Sequence, residues 1–267
     1  MSVKFVPRPS DARGHADHDW LKTFHTFSFA SYQDDEHSQY GPLRVINEDR
    51  VDAHTGFGTH GHSEFEIFSY VVAGELEHGD SMGNREVLKR GDLQMTSAGT
   101  GIRHSEKAHG EKQVHFLQIW ALPNKGGLKP QYFTRHYSDE EKKDKWCKVV
   151  APAGSDGVTE KREASGPAPV HSEVTMYASI ISPSSTLSHT LSISDIAPRK
   201  AYVHLIQTSG YNPGKADGAQ IKLKSASGES LVLREGDGVY IAGDSGATIE
   251  VQNEGDKAAE LILFDLE

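Results

Sequence analysis

The feature that most constrains the fold of this chain is an internal repeat. Val87-Leu88-Lys89-Arg90-Gly91-Asp92 returns 145 positions later, from 87 to 232, as Val232-Leu233-Arg234-Glu235-Gly236-Asp237. At the same offset Gly101 meets Gly246, and Phe116-Leu117 meets Leu261-Ile262. Three features sharing one offset are hard to obtain by accident, so the chain reads as two copies of one folding unit. Each copy is made of short β-prone runs between Gly, Asp and Asn turns. The clearest are Glu66 to Val72 (EIFSYVV), Val114 to Trp120 (VHFLQIW), Val203 to Gln207 (VHLIQ) and Leu261 to Leu266 (LILFDL). Long helical periodicity is absent. The best helix start is Ser138 with Glu141 three residues on, a capping box ahead of KKDKW. The expected fold class is therefore all-β, two tandem β-barrels with minor short helices. The expected layout is one barrel over 1–136, a connector with a short helix and loops over 137–172, and a second barrel over 173–267.

The first copy carries two couplets of ligand-type residues, His60-Gly61-His62 and His104-Ser105-Glu106. On a β-strand, side chains at i and i+2 leave the same face, so each couplet aims both groups at one point. Three imidazoles and a carboxylate form a nitrogen and oxygen donor set suited to iron, nickel, copper, cobalt or zinc. Applying the repeat offset turns His104 into Ile249 and Glu106 into Val251. No His-x-His lies upstream of Gly210, the counterpart of Gly74, either. The first barrel is the metal half, and the second is expected to be degenerate, without metal ligands.

Composition narrows the function classes. Twenty-eight basic against 38 acidic residues leave a net charge of −10, which argues against direct binding to a phosphate backbone. No apolar run approaches the length of a membrane span. The amino terminus, MSVKFVPRPSDARGH, lacks the apolar stretch of a secretory signal. Cys147 stands alone and cannot form an internal disulfide, which fits a reducing compartment. The expected location is the cytoplasm, with the nucleus also open, and the expected state is a monomer.

Several motifs together resemble the pirin family of the cupin superfamily, in its bacterial quercetinase-type branch. They are Arg13-Gly-His-Ala-Asp-His-Asp-Trp20, His25-Thr-Phe-Ser-Phe-Ala30 and Leu43-Arg-Val-Ile-Asn-Glu-Asp-Arg50. Gly56-Phe-Gly-Thr-His60, Ser97-Ala-Gly-Thr-Gly-Ile-Arg-His-Ser-Glu106 and His115-Phe-Leu-Gln-Ile-Trp120 continue the pattern. The match is dense to about Pro130 and thin beyond it. The resemblance implies cupin-type barrels and one divalent metal, Fe(II) first, with Ni, Co, Cu or Zn as alternatives. It implies ligands at His60, His62, His104 and Glu106, the four residues the couplets select. Where the family usually reads His-Pro-His-Arg, this chain has His60-Gly61-His62-Ser63, without the rigid Pro and the basic group. The implied activity is dioxygenation of flavonols such as quercetin, with O2 as co-substrate and release of carbon monoxide. Glu106 is the candidate catalytic base. The alternative is a non-catalytic iron-binding pirin that acts as a redox-sensitive transcription co-regulator through a protein partner.

Other residues compete for roles. Glu66, four after His62, and Glu64, which shares the parity of His60 and His62, rank behind Glu106 as the carboxylate ligand. His15, His18 and His25 read as loop or supporting residues, and His115 as either a satisfied barrel histidine or a pocket residue. His78 and His109 read as solvated, His204 as a core or interface histidine, and Cys147 as a half-buried bystander. Phe57, Phe65, Phe68 and Met95 divide between core and pocket mouth in a way the sequence does not order.

Overall fold

A computed structural model of the chain describes residues 1–195 and 198–266. Among these, regular structure is almost entirely β, with a one-turn helix, Asp139–Lys142, and two short 3-10 turns. Ser138 caps the helix as its motif predicts: its hydroxyl accepts from the Glu141 amide, and the Glu141 carboxylate accepts from the Ser138 amide.

The chain forms two compact units whose boundaries differ from a linear cut. One comprises Gly14–Tyr137 with Val149–Glu173, and the other Met1–Arg13, Ser138–Lys148 and Val174–Glu267. The first thirteen residues thus join the second unit, because Val3–Arg8 pairs antiparallel with Gly238–Gly243. Most of the stretch read as a connector joins the first unit, where Val150 to Pro152 pair in parallel with Ala168 to Val170.

The first unit has a seven-stranded and a four-stranded antiparallel sheet. The larger runs Gln131–His136, Asp92–Ser97, Glu66–Ala73, Val114–Ala121, Leu43–Val51, Leu21–His25 and Gly14–Asp17. The smaller runs Gly56–His62, Ile102–Ala108, Glu75–Asp80 and Arg85–Lys89. The sheets are not closed into one hydrogen-bonded cylinder, so the barrel is a flattened, two-layer cupin-type sandwich. Leu21, Val51, Val71, Val114 and Phe116 from the larger sheet pack on Leu76, Leu88 and Ala108 from the smaller. Each Val, Leu or Phe side chain buried in this cluster stabilises the fold by about 1.5–3 kcal/mol.

The second unit repeats this plan. Gly238–Gly243, Arg199–Leu205, Ala259–Leu266 and Val174–Ile181 adjoin in the order of Asp92–Ser97, Glu66–Ala73, Val114–Ala121 and Leu43–Val51. Its small sheet runs Thr186–Thr190, Thr248–Asn253, Asp217–Ser225 and Ser230–Glu235. The repeated hexapeptide makes the same turn twice. Asp92 accepts from the Lys89 amide and Asp237 from the Arg234 amide, at 2.7 and 2.9 Å. Gly91 and Gly236 take φ of +82° and +90°, a conformation that side chains disfavour. The strand read at Val203 to Gln207 ends at Leu205. Ile249 and Val251, which stand at the positions of His104 and Glu106, are buried in an aliphatic core with Ile221 and Leu223.

Candidate metal centre

The two couplets lie on neighbouring strands of the smaller sheet. Gly56–His62 pairs with Ile102–Ala108 so that His104 stands opposite His60 and Ile102 opposite His62. Ligand atoms of His60, His62 and His104 all lie within 4.8 Å of one another, and His104 Nε2 is 3.1 Å from His60 Nε2. The His62 ring meets those of His60 and His104 edge-on, at 4.8 and 4.9 Å. Burial, followed by the neighbouring His104 and His60, pushes His62 down to about 4. Burial also lowers His104. Both are held as the neutral imidazoles that bind metal.

Glu106 lies one register step further along the same strand, past a bulge between His104 and Glu106. Its carboxylate is 1% exposed and held by neutral donors from three strands of the opposite sheet. Ser69 Oγ and Gln94 Nε2 donate to Oε1 at 2.7 and 2.5 Å, and Gln118 Nε2 donates to Oε2 at 2.7 Å. A carboxylate has about four lone-pair sites. Three are taken, which leaves one for a cation or a proton. Gln94, Ser69, Gln118, Asn47 and His25 follow one another across the larger sheet as paired residues. They form a polar row beneath the histidines, with His25 Nδ1 2.9 Å from Asn47 Oδ1. This floor is polar where a purely apolar barrel lining would have been the simpler expectation.

Glu106 shares its 4.8 Å grouping with His104 and His78, not with all three histidines of the couplets. His78, read from sequence as solvated, is fully buried. Its polar sequence neighbours suggest exposure, but the side chain lies between the two sheets' buried polar groups, stacked on Tyr132. His78-Gly79-Asp80 is in fact a third couplet of ligand-type residues at i and i+2, and the same period-2 argument would have found it. No comparable signal marked Ser69, Gln94 and Gln118, which only the sheet register brings together.

The competing carboxylates are placed elsewhere. Glu66 has the strand parity of Phe68, opposite to that of Ser69, and its oxygens accept from Ser97 Oγ at 2.6 Å and the His171 amide at 3.0 Å. Burial pushes its carboxyl up, partly offset by those bonds. Glu64 does not share the parity of the couplet, because the strand stops at His62 and Glu64 sits in a turn at φ +56°. Its oxygens accept from the Gly127 amide at 3.1 Å.

The remaining histidines and aromatics also sort. His115 faces away from Gln118 and bonds Glu48 at 2.9 Å, which decides for the satisfied histidine. His109 is exposed as expected and lies beside Glu77, while His15 and His18 are exposed. His204 is fully buried in the second unit. Cys147 is half-buried, and burial raises its thiol, which does not favour a nucleophile. Phe68 and Met95 are fully buried on the sheet face away from the histidines, and Phe57 packs on Trp20 in the main core. Phe65 belongs to the site's surroundings. Its ring lies 5.2 Å from Trp120, which meets His62 at 4.8 Å and Phe29 at 5.5 Å. The Trp120 indole N–H has no hydrogen-bond partner among the described residues.

Imidazoles kept neutral, a buried carboxylate with one site left, and Nδ1 atoms on His78 and His104 without a partner among the described residues fit a divalent cation. Fold and site together define a cupin with a candidate metal centre of clustered histidines in one of its two units. The comparisons narrow that class. The Pirin family profile matches residues 7–121. The chain is 33% identical over 260 residues to the quercetin 2,3-dioxygenase of Escherichia coli K12, covering 97% of each protein. The crystal structure of YhhW from Escherichia coli matches with a TM-score of 0.80 at 32% identity, over 99% of this chain and 98% of that one. A second crystal structure, of bacterial pirin YhhW in complex with nickel(II), matches with a TM-score of 0.79 at 32% identity, over 98% and 99%. This chain belongs to the pirin family. Among the described residues no helix is long and apolar enough to cross a membrane.

Proposed function

We propose that this pirin is a metal-dependent dioxygenase of flavonols such as quercetin, with His60, His62, His104 and Glu106 holding the metal. The observation that carries the reading is the contact of one member of the imidazole trio, His62, with an aromatic wall. Trp120 meets the His62 ring directly and is flanked by Phe65 and Phe29. A flat, electron-rich ring lying along that wall would bring its oxygens to the histidines. The names of the relatives support the same substrate class. A bound divalent ion, Fe(II) or the nickel(II) seen in the related pirin, supplies Lewis-acid activation of a substrate hydroxyl and a route for O2 chemistry.

The chain's own residues then have separable tasks. Ser69, Gln94 and Gln118 fix the Glu106 carboxylate, so its remaining lone pair points in one direction only. That lone pair either ligates or accepts the substrate's hydroxyl proton, which makes Glu106 the base only while it is not a ligand. Glu66 takes no part, being bonded on the other face of its sheet.

The test is O2 uptake and carbon monoxide release from quercetin by Fe(II)- or Ni(II)-loaded protein, with His104→Ala as control. Turnover in wild type alone supports the reading. Metal-loaded wild type without uptake would overturn it and favour the non-catalytic, partner-binding alternative.

A further inference from the structure

The second grouping of ligand atoms, from His78, His104 and Glu106, is not accounted for by the couplets. Glu75–Asp80 pairs with Ile102–Ala108 so that His78 stands opposite Glu106 and Asp80 opposite His104. All three members are buried, His78 completely. The His78 ring is fixed by its surroundings. It stacks on Tyr132 at 4.7 Å and 14°, and Nε2 lies 3.3 Å from Asp80 Oδ2. Asp80 is itself anchored by the Met82 and Asn84 amides and by Asn84 Nδ2, at 2.9, 3.0 and 2.7 Å. A carboxylate at Nε2 selects the tautomer with its proton there, which leaves the Nδ1 lone pair bare. Among the described residues that Nδ1 is buried and without a hydrogen-bond partner, and so is Nδ1 of His104. An unmet buried acceptor is costly unless something fills it. A carboxylate orienting one ring nitrogen while the other is free is the arrangement that prepares a histidine for a metal.

We propose that His78 is a metal-binding residue of this centre, and that His78, His104 and Glu106 form an inner seat that shares His104 and Glu106 with the outer seat of His60, His62, His104 and Glu106. His104 belongs to both groupings, with Nε2 beside His60 and with Nδ1 unpartnered among the described residues. One ion can then shift between them, toward the aromatic wall or toward the polar floor. The inference rests on the reading that this site holds a divalent metal.

Zn(II) and Co(II) are the probes. In wild type, Zn(II) titration followed by long-range nitrogen NMR should move the His78 Nδ1 resonance to the metal-bound range while Nε2 stays protonated. His78→Gln, whose amide still reaches Asp80, should weaken Co(II) binding about 10- to 100-fold. His60→Ala/His62→Ala, which empties the outer seat, should still bind Co(II), and adding His78→Gln should abolish that binding. Circular dichroism confirms that each variant is folded, and the wild-type NMR result stands whether or not the variants fold. If wild type takes up Zn(II) with the His78 nitrogens unmoved, the inner seat is refuted and the outer metal site survives. If wild type takes up neither ion, both readings fall.

Discussion

At the scale of single residues, what matters is how a buried carboxylate is held. Glu106 combines burial with three neutral donors, so its carboxylate is held in place without a fixed cation beside it in that network. Gln118→Ala removes the donor to Oε2 and should weaken Ni(II) binding about 10- to 100-fold, measured by dye competition. Glu106→Gln should cost more, because it removes the charge and turns an amide group toward the donors of Gln94 and Gln118. Asp49 presents the opposite case. Burial, with smaller contributions from Glu106 and Glu48, pushes its carboxyl up to about 7, although Thr23 donates to it. The unfolded chain ionises this group near 3.9 and the folded chain near 7, so between those values the folded state binds more protons. Its contribution to stability therefore falls as pH rises through that window and is fully unfavourable above it. Asp49→Asn should match wild type near pH 4 and exceed it at pH 8, by up to about 4 kcal/mol. Urea unfolding of metal-free protein at both pH values checks this.

At the scale of elements, register decides which face each residue serves. Glu66 is four positions after His62, yet it lies on a different strand whose parity turns it away from the histidines. The repeated turn shows a similar control by backbone. Alanine at Gly91 would run its Cβ into the Tyr137 carbonyl, and at Gly236 into the Ser10 hydroxyl, both at positive φ. Each substitution should destabilise its own unit by at least ~1 kcal/mol, read as a lowered melting temperature. The amino-terminal strand gives an element-level test of the division into units. Deleting residues 1–8 leaves Gly238–Gly243 paired on one side only. Hydrogen exchange should then accelerate at Val239 to Ile241, with Ni(II) binding at the histidines retained.

At the scale of the whole molecule, two copies of one architecture have diverged in what fills them. Where one unit keeps His104 and Glu106 over a polar floor, the other has Ile249 and Val251 among aliphatic side chains. Aliphatic packing stabilises a unit without any ligand, whereas a polar interior is stabilised by what it binds. Calorimetry with Ni(II) at about 100 times its Kd should stabilise the histidine-bearing unit by about 2.7 kcal/mol. If the units melt separately, only that unit's transition should move.

The sequence by itself determined the all-β class, the repeat, the helix cap and the two couplets. Those follow from period-2 alternation and turn chemistry within a few residues, together with one copy compared against the other. Only the tertiary structure decided which carboxylate faces the histidines, that His78 is buried beside Glu106, and which of Phe57, Phe65, Phe68 and Met95 stands near the site. It also decided that Val3–Arg8 completes the sheet of the second unit. These depend on which strands pair and in what register, and strand pairing joins residues far apart in the chain. A single sequence states each strand's alternation but not the partner that gives each face its neighbours.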